Sequence, residues 1–404
     1  MIASMKADIL EPYQGCDNYF KIQKLTLIAV GVDFSLLKAP VFSKFLLWVP
    51  NILQFALCWP MTNYAIQNRN DVNEFTDVLA PVWQVMMAVV LFFHFIWNMG
   101  NLRKLRNKIW SWNLQANIEE FQITIEENRR DFRISLAFYS IVLTTGIMAL
   151  TAPFGTAAFY SWKGYRFWDF LDMPWKAVYL FDHKKSYLAY IFAYLWDIIA
   201  VYALFNTTLV VDTLFSWFAH NICAHFRILN WRFKCAGLRI SSGLESDDKF
   251  HDILTNCISY HQNLIKIMKE FNNLFRMVVF VKFAISCIQL AFLAFQFARG
   301  GDLVGQVFHL FFLLSVSSQL MLYCYGGQRI QNESLSVADG IYQSFRWQEL
   351  SVRHKKLLLI PLIRSQRRCS LTGIFFVADL PLFLWVYRTT ASVITMLLTM
   401  ADDD

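Results

Sequence analysis

The Lys and Arg residues of this chain collect in alternate gaps between seven long apolar stretches, and that asymmetry dictates a membrane topology. Of the 37, roughly three quarters fall in the N-terminal arm and in the second, fourth and sixth gaps, against about 7 in the other gaps. The positive-inside rule therefore places the N-terminus in the cytoplasm. An odd number of spans carries the C-terminus, ending Ala401-Asp402-Asp403-Asp404, to the outside. The expected fold class is an all-α membrane protein with seven transmembrane helices and an inverted topology, N-terminus cytoplasmic and C-terminus extracellular. A G-protein-coupled receptor runs the other way.

Composition agrees with that class. The chain is 56% hydrophobic and 17% charged, with a mean hydropathy of +0.37; a soluble globule carries about a quarter charged residues. The net charge of +7 sits beside the spans, where orientation and anionic headgroups account for it, so nucleic acid is not an expected partner. Cys16, Cys58, Cys223, Cys235, Cys257, Cys287, Cys324 and Cys369 all fall within spans or on the cytoplasmic side, so no structural disulfide is expected. No CxxC pair occurs, and neither a zinc site nor a cofactor is expected. The first apolar stretch lies beyond Lys38 without a small-residue cleavage site, so no cleaved signal peptide is expected.

The spans read as residues 45–61, 78–97, 136–154, 187–219, 275–297, 303–325 and 380–400, most of them near the roughly 20 residues that cross a bilayer as a helix. The fourth is longer and should tilt or continue towards His220 and Arg227. Outside, Gly300 to Asp302 makes a tight turn, whereas residues 155–186 carry Trp162, Tyr165, Trp168, Trp175 and Tyr179; a loop so aromatic should fold against the mouth of the bundle. Inside, apolar residues recur at helical spacing over about 250–270 and about 334–360, which predicts helices packing on one another below the membrane. No internal repeat is visible, and residues 1–404 read as one domain. The sequons at Asn206 and Asn332 fall in a span and in the cytoplasm, so neither should be glycosylated.

Within the spans stand Asp197, Asp212, Lys282 and Arg388. An isolated charge there costs on the order of 3 kcal/mol or more, so each must face protein or water, either as a structural pair or as part of an ion path. His94 and His309 have no second ligand at helical spacing and read as packed or capping residues. On the last span Thr389, Ser392, Thr395 and Thr399 recur every three to four residues with Met396 beside them. Such a stripe suits a wettable path with a dewetting gate; equally, each hydroxyl can bond back to the preceding turn and face a neighbouring helix.

The last eighty residues are the most specific. The run LMLYCYGGQRIQNESLSVADGIYQSFRW, then HKKLLLIPLIRSQRRCSLTG and LPLFLWVYRTTASVITMLLTM, resembles the C-terminal signature of insect odorant receptors. The matching elements are Tyr323, Cys324, Tyr325 and Gly326; Tyr342 and Trp347; Lys355 to Ile360; Arg364, Ser365 and Gln366; and Ser392 and Thr395. Two departures exist: Ser-Val-Ile-Thr stands where Ser-Tyr-Phe-Thr is commoner, and Arg367-Arg368-Cys369 replaces a stretch that often contains Pro. The chain lacks the extended second cytoplasmic loop of the family's co-receptor and resembles an odorant-tuned subunit.

The resemblance implies a ligand-gated non-selective cation channel at the plasma membrane of sensory cilia. It further implies a heterotetramer with co-receptor subunits, a pore lined by the final helices at Ser392, Thr395, Met396 and Thr399, and a central cytoplasmic anchor that includes Tyr342 and Trp347. Odorant would bind in the outer half of the bundle. A pocket for small volatile organic ligands is mostly apolar with a few hydroxyl or indole groups, and the candidates are Trp83, Met86, Met87, Val90, Thr145, Met148, Thr151, Tyr190, Tyr194, Phe308 and Phe311. The alternatives are a seven-helix chemoreceptor signalling through a G protein and a gustatory-type receptor channel. The first lacks Asp-Arg-Tyr and Asn-Pro-x-x-Tyr motifs here. A transporter would show repeated halves, and an intramembrane enzyme a His or Asp cluster; neither feature is found.

Overall fold

The computed structural model describes residues 20–34, 40–182, 184–241, 247–300 and 303–402. Cys16, Lys38, Gly301, Asp302, Asp403 and Asp404 lie outside the described residues. The helices are α1 (Lys21–Ala29), α2 (Val41–Gln67), α3 (Val72–Leu114), α4 (Ile118–Trp162), α5 (Tyr187–Ser241), α6 (Asp247–Arg299), α7 (Leu303–Ser344), α8 (Val352–Ser365) and α9 (Leu380–Asp402), with a short 3-10 turn at Phe167–Phe170. Among the described residues, the six helices α2 to α7 are long and apolar enough to cross a membrane. The 23-residue α9 supplies the seventh span.

Every apolar stretch read from the sequence sits inside a longer helix. The 55 residues of α5 and 53 of α6, at about 1.5 Å each, reach roughly 80 Å, against a hydrocarbon core of about 30 Å. Each helix must therefore project far beyond the bilayer at the end that the basic residues assign to the cytoplasm. Residues 250–270 form the first part of α6, continuous with the fifth span. Residues 334–360, by contrast, are not one helix. The chain leaves α7 after Ser344 and restarts at Val352, where Ser351 Oγ accepts from the His354 backbone N–H at 3.4 Å. Trp347 Nε1 meanwhile donates to the Tyr342 carbonyl at 2.9 Å, occupying one of the last carbonyls of α7 that have no partner within the helix. Apolar spacing continues through so short a break, which is why it reads as uninterrupted.

The axis of the bundle is α5, packed against α2, α3, α4, α6 and α7; its stretch from Leu214 to Phe226 is buried throughout. Backbones approach most closely at the cytoplasmic end. A side chain at Gly237 of α5 would collide with the Ser344 carbonyl, and one at Gly327 of α7 with the Ala378 carbonyl. The buried carboxylates Glu120 and Glu127 here carry partners, as desolvated charges must. Glu127 of α4, fully buried, accepts from Arg227 at 2.6 Å and from Arg329 at 2.7 and 2.9 Å. Glu120 accepts from Arg232 at 2.6 and 3.0 Å.

Candidate functional site

The loop between α4 and α5 folds over the outer mouth of the bundle. Val178 N–H donates to the Pro60 carbonyl of α2 at 3.0 Å, and the Tyr179 hydroxyl donates to Asp197 on α5 at 2.7 Å. Lys176 bridges Glu74 and Asp77 of α3 at 2.8 and 2.9 Å. Burial by itself would favour the neutral amine of Lys176, but Asp77 and Glu74 outweigh it and hold the ammonium above the usual lysine range. His309 of α7 completes the cluster, 3.0 Å from Asp77.

Beneath this strap lie two adjoining spaces. The outer one, a vestibule of about 970 Å³ partly open to solvent, is bordered by Asp77, Pro81, Phe170, Asp172, Lys176 and His309 among others. The inner one, a chamber enclosing about 460 Å³ of atom-free space, is walled by Gln84 of α3, Val142, Thr145 and Ala149 of α4, Leu204, Phe205 and Thr208 of α5, and Phe308, Phe312, Ser315 and Gln319 of α7. Ala149, Trp175 and Phe308 border both. The inner space is thin, and in this conformation it accommodates about one water-sized body. A larger guest must displace side chains, and the Phe205 and Phe308 rings stand at its wall.

Of the pocket candidates named from the sequence, Thr145 and Phe308 line the chamber. Thr145 Oγ1 donates to the carbonyls of Ile141 and Phe311 at 2.9 and 3.1 Å, so Phe311 meets this region through its backbone. Tyr190 and Tyr194 stack on each other with ring centroids 5.9 Å apart. Their hydroxyls donate to the carbonyls of Asp172 in the strap at 3.1 Å and of Leu150 in α4 at 2.5 Å, so Tyr190 braces the strap, Tyr194 ties α5 to α4, and neither borders the chamber. Met87 is buried in the main core, Trp83 and Met148 are half-buried outside the chamber wall, and Met86, Val90 and Thr151 face outwards. The α3 face turned to these spaces instead carries Asp77, Val78 and Pro81, which border the vestibule, and Gln84, which lines the chamber. Gln84 had a legible signal in the sequence, being a lone polar residue in an apolar run, whereas Thr208 and Gln319 end the polar triplets Asn206-Thr207-Thr208 and Ser317-Ser318-Gln319.

Three of the four intramembrane charges, Asp197, Asp212 and Lys282, are partnered. Asp212 of α5 pairs with Lys282 of α6 at 2.8 Å, both fully buried, and accepts from Gln319 Nε2 at 2.7 Å and the Tyr323 hydroxyl at 2.6 Å. Gln319 thus floors the chamber and touches the ion pair. Arg388 of α9 is exposed on the isolated chain, and His94 lies 2.8 Å from the Leu274 carbonyl. Among the described residues no group of His, Cys, Asp or Glu side chains is placed to hold a metal ion.

On α9, Val386 and Thr390 are buried, and the helix packs on α6 and α7. The other face carries Thr389, Ser392, Thr395, Met396 and Thr399, all exposed, with Met396 63% exposed. The hydroxyls bond back into their own helix, as at Thr395 to Ser392 and Thr399 to Met396, both 2.8 Å. They do not turn towards another helix of this chain. Tyr342 and Trp347 lie together, ring centroids 6.3 Å apart, with Tyr342 exposed.

A family model described as 7tm Odorant receptor matches residues 71–391. The chain belongs to the 7tm odorant receptor family. Among its relatives, odorant receptor 45a of Drosophila melanogaster is 28% identical over 399 residues, covering 95% of this receptor and 98% of that one. Odorant receptor 9a of the same fly is 27% identical over 391 residues, covering 94% and 95%. The receptor's fold is similar to that of olfactory receptor OR5 from Machilis hrabei in complex with eugenol, with a TM-score of 0.79 at 15% identity over 97% of this chain and 100% of that one. The multi-pass membrane architecture is accordingly that of the odorant receptors.

Proposed function

We propose that this odorant receptor is the odorant-tuned subunit of a ligand-gated, non-selective cation channel at the plasma membrane, in sensory cilia, and that it opens a pore shared with a co-receptor in a heterotetramer. The observation that carries the reading is the apolar chamber in the outer half of the bundle, roofed by the loop and adjoining a vestibule that opens to solvent. Two further features support it. The Machilis relative is known in complex with eugenol, a small volatile, and the exposed hydroxyl face of α9 suits a wettable path that becomes continuous only when several chains meet.

The mechanism follows from how little room the chamber holds. A guest larger than water pushes Phe308 and Phe205 aside, and Phe308 belongs to α7, on which α9 packs. Odorant therefore favours an arrangement in which the outer ends of the α9 helices separate and the pore widens at Met396. Micromolar binding supplies about 8 kcal/mol; it opens a gate resting a few kcal/mol closed only if most of that energy discriminates open from closed, so partial agonists are expected. Tyr342 and Trp347, at the break between α7 and α8, serve the cytoplasmic anchor at which subunits meet.

The test is co-expression with the co-receptor and current recording over a panel of volatiles, each subunit also being recorded alone. Odorant-evoked cation current from the pair, and none from this subunit alone, is the expected result. Silence across the panel from complexes verified at the surface rejects the channel reading.

A further inference from the structure

Resting on the reading that the chamber is the odorant site, we infer that it selects small uncharged molecules bearing a hydrogen-bond-accepting oxygen, such as esters and ketones, and that Trp175 and Thr208 make this selection. Three of the chamber's polar side chains are engaged. Gln84 Oε1 accepts from Gln289 Nε2 at 2.9 Å, Gln319 Nε2 is committed to Asp212 at 2.7 Å, and the Thr145 hydroxyl already donates to two carbonyls. The indole N–H of Trp175 and the hydroxyl of Thr208 are different. Their residues are 4% and 3% exposed, both line the chamber, and neither polar atom has a hydrogen-bond partner.

Buried polar groups are almost always partnered, and each unmet one costs free energy comparable to a lost hydrogen bond. Two such groups on the wall of one small apolar space belong to whatever fills it. An indole N–H only donates, whereas a hydroxyl donates or accepts; the shared complement is an acceptor oxygen on an otherwise apolar body. A hydrocarbon of the same shape leaves both groups unmet. A carboxylate fares worse, because no cationic side chain lines the chamber and the vestibule lysine is occupied by Glu74 and Asp77; a charge entering it would lose its hydration without a counter-ion.

The experiment compares nonane, 2-octanone, methyl hexanoate and heptanoate, which are matched in heavy-atom count. It has two readouts: the thermal stability of the purified full chain in detergent with each compound, and current from the receptor co-expressed with its co-receptor. In the wild-type protein the ketone and ester stabilise, and act, at concentrations about tenfold or more below nonane, and heptanoate is weakest. Trp175→Phe and Thr208→Val each raise the required concentration of ketone and ester about fivefold and leave that of nonane nearly unchanged, while Thr208→Ser, which keeps the hydroxyl, restores wild-type behaviour. Equal effects of nonane and 2-octanone on the wild-type protein, or variants that weaken all compounds alike, overturn the inference. Because Trp175→Phe also touches the strap, Thr208→Val in a chain that reaches the surface normally decides on its own. A binding preference for the oxygenated compounds without any current upholds the selection rule and rejects only the channel reading.

Discussion

Replacing Lys282 with Met should be among the most damaging single changes this receptor can suffer. Both members of the Asp212–Lys282 pair are fully buried and 2.8 Å apart, and the carboxylate also takes hydrogen bonds from Gln319 and Tyr323. Lys282→Met keeps most of the side-chain volume but leaves a desolvated carboxylate with only two neutral donors. Breaking one side of a buried pair costs about 3–5 kcal/mol, which corresponds to a fall of roughly 4–6 °C in apparent melting temperature for a chain of 404 residues. Asp212→Asn added to Lys282→Met removes the orphaned charge and retains groups able to hydrogen-bond with Gln319 and Tyr323. Since a buried ion pair and a neutral substitute differ little in net stability, the double variant should recover most of the loss. The assay is the thermal stability of detergent-solubilised receptor, followed by size exclusion, with surface abundance as a second measure. If Lys282→Met melts like the wild-type protein, or if the double variant is as unstable as the single, the pair does not hold α5 to α6 as argued.

Four other outcomes are expected. A tag at the N-terminus should need permeabilised cells for detection and one appended to the C-terminus should not; staining of the N-terminal tag on intact cells rejects the inverted topology. Trp347→Asp should abolish surface assembly with the co-receptor, since it sets a charge beside Tyr342 and removes the bond to the Tyr342 carbonyl; normal odorant currents from this variant exclude an anchor role. Met396→Ser should lower the dewetting barrier and raise odorant-free current, diluted by co-receptor helices that keep their own gates, whereas Phe308→Ala should shift odorant sensitivity without altering ion selectivity. Unchanged basal current, maximal current and permeability ratios in Met396→Ser complexes place α9 of this subunit away from the gate. Lys176→Met should speed odorant wash-out by less than about fivefold, because exposed ion pairs contribute little. The raised folded-state pKa means that this contribution is complete below the ordinary lysine range of about 10.4 and is lost only at still higher pH. Wash-out rates should therefore be flat from about pH 7 to 9, and a rate that climbs over that interval contradicts the strap.

What the chain's sequence determines by itself is the number, order and orientation of its spans, and its family. Apolar length and the bias of Lys and Arg act locally, each gap being read against the membrane without reference to the other helices. The signature from Tyr323 through Thr395 is likewise local in sequence. The rotation of each helix is another matter. In lipid an outward face is as apolar as an inward one, so Met86 and Val90, which look out, and Val78 and Pro81, which border the vestibule, carry the same kind of side chain. Only polar residues within the spans betray the inward side: Gln84 stands alone in an apolar run, and Thr208 and Gln319 end short polar triplets. Partnerships across the bundle are still less legible. Asp212 meets Lys282 across 70 positions, and Trp175 reaches the chamber from a loop whose path is set by Pro60, Asp77 and Asp197 on three different helices. Such contacts depend on how long helices cross and on where a strap is tied, and those are properties of the packed bundle that no spacing along a single helix contains.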